Sequence, residues 1–300
     1  MLICSALARA QRLYPIKIIC FVVQANHVHL LIRVTDPEVV SSFIGYFKAE
    51  SAHYLNRLLN RRQRTVWAER FDSPAVLDLE RALECFAYCS LNPVKDGLVD
   101  SMSEYPGLAS YNYLIKNQNH IPAKAIPRNK VHSLINPHRP QREEQKLTEY
   151  FNSEEFDDLK ITLSPDELRL AFPRSKKTCP NEFRQTLLKT LASHEAIYRQ
   201  ERTTTKSMGP LKLTSGSMLA ERKPPPKGKK MICLSTNKEL RQDFIAQFKR
   251  LRDICRATFR RWQQGETGIP FPPGMFPPHL PRMANFVPRE GGGRSIANLN

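Results

Sequence analysis

The sequence has no run approaching the ~18 continuous apolar residues of a membrane span, although the chain is 300 residues long. Its N-terminus has no basic stretch followed by a long apolar block, which argues against a secretory signal. Its seven cysteines are an odd number and none is in CxxC spacing. That excludes a disulfide scaffold or a thiolate zinc site as the expected design and fits a reduced, cytoplasmic protein. No internal repeat is present. Acidic residues are scarce: 29 Asp+Glu stand against 46 Lys+Arg, a formal charge of +17. The imbalance is uneven. Residues 1–110 hold 12 basic and 11 acidic residues, so the remaining 34 basic and 18 acidic residues lie in 111–300. An excess this large binds phosphate backbones without reading sequence, so nucleic acid is the expected partner and a nucleoid-associated location follows.

What is present divides the chain. Residues 4–13 read as a short helix and 16–24 (IKIICFVVQ) as a buried strand. Ala25-Asn26 is a two-residue turn, and 27–34 (HVHLLIRV) is the partner strand. Asp36-Pro37 starts a helix, with Asp as N-cap and Pro at the first helical position. Residues 66–79 (VWAERFDSPAVLDL) read as a loop and a short strand, and 78–92 as a helix that Pro93 stops at Asn92. A compact unit over 1–118 is expected, then a linker at 119–140, a helical region at 141–203 and a basic, Pro-containing linker at 204–235. An amphipathic basic helix is expected at 236–265, capped by Thr236 with Glu239 and stopped by Gly265. Its apolar positions are Leu240, Phe244, Phe248, Leu251, Cys255, Phe259 and Trp262. Residues 266–300 are a Pro/Gly-rich tail without a packed core.

The chemistry centres on NHVHLLI at 26–32. Side chains at i and i+2 of a strand share a face, so His27 and His29 project together and form a candidate pair of metal ligands. Tyr88 and Asn92, four apart, share a face of the 78–92 helix. Two imidazoles and an amide oxygen suit Mg²⁺ or Mn²⁺, with positions left for phosphate oxygens. A nearby phenol can then attack a phosphodiester. An HxH strand also serves zinc hydrolases, but those need further His or Asp ligands. Here His53 lies in the 36–60 helix and the other histidines at 120 or beyond. Arg57, Arg61, Arg62, Arg64 and Arg70 are candidates for gripping DNA phosphates.

These motifs, in order, resemble the single-tyrosine transposases of the HUH endonuclease superfamily (the insertion sequence 200 type). Within it they resemble the REP-associated tyrosine transposases. NHVHLLI is similar to the family's metal-binding strand, with Gln24-Ala25 where Met-Pro is common. YCSLNPVKDGLV (88–99) is similar to its Tyr, three residues, Asn-Pro-Val and Gly turn. VWAERF (66–71) and YPGLASY (105–111) are weaker matches, and the likeness spans about 4–115. The resemblance implies an α+β, ferredoxin-like sandwich followed by a mostly helical basic tail. It implies His27, His29 and Asn92 as metal ligands and Tyr88 as nucleophile. It further implies a bacterial mobile-element enzyme, monomer or homodimer, that cleaves and rejoins single-stranded DNA near hairpins, such as repetitive palindromes, through a 5′-phosphotyrosine. The family pattern also carries a strand before the first helix. This sequence begins at that helix, so an unpaired sheet edge beneath the site is expected. The alternative is a catalytically inactive or repurposed DNA-binding protein.

Overall fold

The computed structural model describes residues 1–61, 65–68, 70–131, 140–153, 155–202, 206–215, 230–266 and 268–272. In order the elements are α1 (Leu2–Leu13), β1 (Lys17–Val23), β2 (Val28–Arg33), α2 (Pro37–Leu58), β3 (Ala75–Val76) and α3 (Leu79–Lys95). Then follow α4 (Tyr111–Ile115), β4 (His120–Lys124), α5 (Pro140–Ser153), β5 (Asp158–Thr162) and α6 (Asp166–Ala171). The last are α7 (Pro180–Glu201), α8 (Pro210–Ser215), β6 (Cys233–Leu234) and α9 (Lys238–Gln263). No helix among the described residues is long and apolar enough to cross a membrane.

The architecture is mixed α and β, but its strands differ from one continuous sandwich sheet. Among the described residues they form three two-stranded pairs: β1–β2, β3–β6 and β4–β5. The β1–β2 pair is antiparallel, with Val23 opposite Val28 and Val22 opposite His29, and a register shift between Ile18 and Cys20. Its turn closes where the Gln24 N–H donates to the His27 carbonyl, at 2.9 Å, around Ala25-Asn26. The outer edge of β1 is covered. The Val23 N–H donates to the Leu108 carbonyl and the Ser110 N–H to that of Phe21. The Ser110 hydroxyl accepts from the Phe21 N–H at 2.9 Å. No strand among the described residues pairs with the outer edge of β2, and β2 is half-buried along its whole length.

Tyr105 clamps the same end of β1, its phenol donating to the Val23 carbonyl at 2.7 Å. Burial pushes that phenol up to about 12. An unfolded tyrosine ionises near pH ~10, so between about pH 10 and 12 only the unfolded chain gives up this proton. The stability Tyr105 contributes is therefore complete below pH ~10 and is lost as pH rises through about 12. Tyr105→Phe is expected to cost about 1 kcal/mol at neutral pH and to flatten the alkaline loss. Urea unfolding at pH 8 and above pH 10 measures both.

The compact unit does not close at 118. The stretch expected to be a linker contributes β4, whose Ile121 and Ala123 alternate inward while His120, Pro122 and Lys124 face out. Pro122 is tolerated because β4 pairs on one side only, with β5. Ile121, Ile126, Val131, Ile161 and Leu163 join one core with Ile18, Phe21 and Phe86. Short apolar alternation broken by Pro and polar residues hid this pair from the sequence. Residues 132–139 lie outside the described residues.

A buried ion pair ties this added part to the helices. Glu50 of α2 is 2% exposed and lies 3.5 Å from the Arg9 guanidinium of α1. It also accepts from Arg128 Nε at 2.9 Å. Arg128→Ala leaves the carboxylate facing Arg9 alone and is expected to cost about 2 kcal/mol, because an under-paired buried charge is expensive. The urea midpoint reports this, and Arg128→Lys should recover part of it.

Two expected helix ends differ. α3 does not stop at Asn92 but continues through Pro93 to Lys95. Pro93 lies in the last turn, where the helix has one intrahelical bond to lose and little helix left to kink. The end is a Schellman motif: Leu98 N–H donates to the Pro93 carbonyl and Gly97 N–H to that of Val94. Gly97 holds φ +69°, the left-handed region that favours glycine. At α9 the cap is Asn237, whose side-chain oxygen accepts from the N–H groups of Glu239 and Leu240, not Thr236 with Glu239. The Thr236 hydroxyl donates instead to Asp78, the residue that caps α3. No residue of α9 is buried; Leu240, Phe248 and Leu251 of its apolar stripe are 40–45% exposed.

Candidate active site

The β1–β2 turn and the C-terminal half of α3 meet at one place. α3 is seated on β1 through Phe86, which is 1% exposed, and through Cys89, whose thiol donates to the Cys20 carbonyl at 3.7 Å. With that face buried, Tyr88 emerges at the side, 38% exposed, while Asn92 one turn later is buried at 1%.

The structure brings four of the sequence-selected residues together. The His27 and His29 rings lie 4.7 Å apart, centroid to centroid, edge to face. The His29 and Tyr88 rings lie 5.1 Å apart in the same manner. His27 Nε2 is 3.1 Å from the Asn92 side-chain oxygen, and His27 Nδ1 is 2.8 Å from that of Asn26.

Two further residues were missed. Gln24, 8% exposed, donates its amide N–H to the Asn92 oxygen and fixes which end of that amide faces His27. Lys95 lies with its ammonium 4.7 Å from the Tyr88 ring centroid. Lys95 was findable, since it follows Tyr88 by seven residues, two helical turns along one face. Gln24 was not, because only the tertiary approach of α3 gives it a partner.

The chemistry of this donor set, two imidazoles and an amide oxygen, fits a divalent cation. A neutral imidazole carries one N–H. If Nδ1 donates to Asn26, then the Nε2 lone pair of His27 faces a lone pair of the Asn92 oxygen. Their 3.1 Å separation is that of two adjacent ligands about 2.1 Å from one octahedral ion. His29 Nε2 is buried without a hydrogen-bond partner, which a cation would relieve. Burial, reinforced by His27 and Lys95, lowers the His29 pKa to about 4. The ring is therefore neutral, and able to ligate, at physiological pH. Gln24 then holds the amide ligand from behind. Among the described residues no group of three or more His, Cys, Asp and Glu forms a rival metal site.

The arginines are not gathered here in the same way. Arg57 is exposed and donates to the Arg128 carbonyl at 2.9 Å. Arg61 is half-buried and Arg70 exposed. Arg62 and Arg64 lie outside the described residues. Trp67 of the VWAERF segment packs on α2, 5.8 Å from the Phe47 ring, and donates to the Lys48 carbonyl.

Residues 3–78 match the model of a family described as transposase, IS200 like. The match covers about a quarter of the chain, from α1 to the N-cap of α3. It contains both histidines and ends before Tyr88 and Asn92. No curated protein and no solved structure matches the chain.

Proposed function

We propose that this protein is an HUH-type, single-tyrosine DNA transposase of the REP-associated kind. It cleaves and rejoins single-stranded DNA beside hairpins through a 5′-phosphotyrosine intermediate. The observation that carries this reading is the cluster of His27, His29, Asn92 and Tyr88 within ring and hydrogen-bond contact. Half of that cluster lies beyond the segment similar to IS200-like transposases, so the tyrosine and the amide support the reading independently of the family match.

In the forward reaction Tyr88 Oη attacks the scissile phosphorus. The Oη–P bond forms and the P–O3′ bond breaks. The phenolic proton leaves to solvent at the partly exposed ring, and the departing oxygen takes up a proton to become a free 3′-hydroxyl. The Lys95 side chain, close to the Tyr88 ring, places a cationic group where it can attract the phosphate toward the attacking oxygen. A divalent ion, Mg²⁺ or Mn²⁺, held by His27, His29 and Asn92 would supply Lewis-acid polarisation of the phosphate and stabilise the leaving oxygen. Rejoining is the reverse: a 3′-hydroxyl attacks the phosphotyrosine and releases Tyr88. The bond energy is retained in the ester, so no ATP is consumed.

The test is a denaturing gel of the protein with labelled single-stranded hairpin oligonucleotides and Mn²⁺ or Mg²⁺. A covalent protein–DNA band that EDTA abolishes is expected. The outer edge of β2, beside which no strand lies among the described residues, favours a second reading, a repurposed DNA-binding protein. It would give hairpin binding in a native gel and no covalent band.

A further inference from the structure

A cleft of about 540 Å³ opens at the C-terminal end of α3, lined by Lys95, Arg202, Lys206 and Lys212 around Gly97 and Met208. Its far wall is built rather than loosely draped. The Met208 and Gly209 N–H groups donate to the Gly97 and Leu98 carbonyls, each at 2.9 Å. The Arg202 guanidinium donates to the Val94 and Val99 carbonyls and to Asp100. Ser207 also donates to Asp100, at 2.7 Å. These bonds neutralise Arg202 against Asp100 and fix the 206–212 segment against the helix end. Lys206 and Lys212 are exposed, and among the described residues no carboxylate pairs with either of them or with Lys95. One carboxylate, Asp96, shares the lining, so the cleft keeps a positive excess.

Lys95 belongs to both places. Its ammonium lies 4.7 Å from the Tyr88 ring, and it lines the cleft. The cationic path therefore begins at the nucleophile and runs outward. We propose that this cleft is the track for the phosphodiester backbone of the single strand whose scissile phosphate lies at Tyr88, with Lys206 and Lys212 gripping the phosphates beyond it. The inference rests on the function proposed above and extends it to residues far outside the segment similar to transposases. Lysine suits the task because it binds phosphate as a point charge without reading bases.

The experiment measures binding of a fluorescein-labelled single-stranded hairpin oligonucleotide by anisotropy, from 50 to 200 mM salt, with full-length Tyr88→Phe protein so that no cleavage intervenes. Each phosphate contact contributes about 0.7 to the salt slope of a single strand. Lys206→Gln with Lys212→Gln is therefore expected to lower the slope by about 1.4 and weaken binding about tenfold near 0.15 M salt. Lys206→Arg with Lys212→Arg should keep both, and the exposed pair Lys176→Gln with Lys177→Gln should change affinity less than twofold. An unchanged slope in the first variant, or an equal loss in the Lys176/Lys177 pair, overturns the cleft while leaving the proposed function standing. Absence of any single-strand binding by the parent protein overturns both.

Discussion

Tyr88→Phe should abolish the covalent DNA adduct while leaving non-covalent binding within about twofold. Phe keeps the ring that stands edge to face with His29 at 5.1 Å and under Lys95 at 4.7 Å. It removes only Oη, which has no hydrogen-bond partner among the described residues. Surface substitutions of this kind fall within about 0.5 kcal/mol, so the melting temperature should hold and a lost band cannot be ascribed to unfolding. Under the proposed function His27 and His29 hold the cation, so neither is left to take over the attack.

His29→Ala is the second large effect, with a different signature. Its Nε2 is buried without a hydrogen-bond partner, a cost that offsets part of what the ring gains by packing against His27 and Tyr88. Removing it should change unfolding free energy by less than about 1 kcal/mol, the avoided cost of an unsatisfied polar atom offsetting lost packing. Adduct formation should fall at least 100-fold, since Lewis-acid assistance is worth several kcal/mol in the transition state. The remaining activity should require a higher Mn²⁺ concentration. The two substitutions are separable: calorimetric titration with Mn²⁺ should show binding intact in Tyr88→Phe and weakened in His29→Ala.

Local signals carried far in this chain, and tertiary ones did not. The i, i+2 histidines, the Asp36-Pro37 start of α2, the two-residue turn at Ala25-Asn26 and the shared face of Tyr88 and Asn92 are rules of one strand, one cap, one turn and one helix. Each has its geometric counterpart in the structure. The errors lie where residues outside the element itself decide. Pro93 ends most helices, but α3 accommodates it in the final turn because Gly97 completes a Schellman motif. Residues 119–140 look like a linker until β5, some forty residues after β4, supplies the partner for 120–124. Thr236 has the spacing of a capping residue, but Asp78 of another element takes its hydroxyl and Asn237 caps α9 instead. Gln24 acquires its role only when α3 delivers Asn92 to it. The covering of β1 by 108–110, and by Ser164, whose N–H donates to the Ile18 carbonyl at 2.7 Å, was not legible, because those partners lie some ninety and one hundred and forty residues away.

The most direct test of the phosphotyrosine account is to isolate the covalent adduct formed with a hairpin oligonucleotide and Mn²⁺, digest protein and DNA, and sequence the modified peptide by mass spectrometry. The account predicts a nucleotide joined through its 5′-phosphate to Tyr88. Attachment to any other residue, or cleaved DNA with Tyr88 unmodified at every time point, would contradict it.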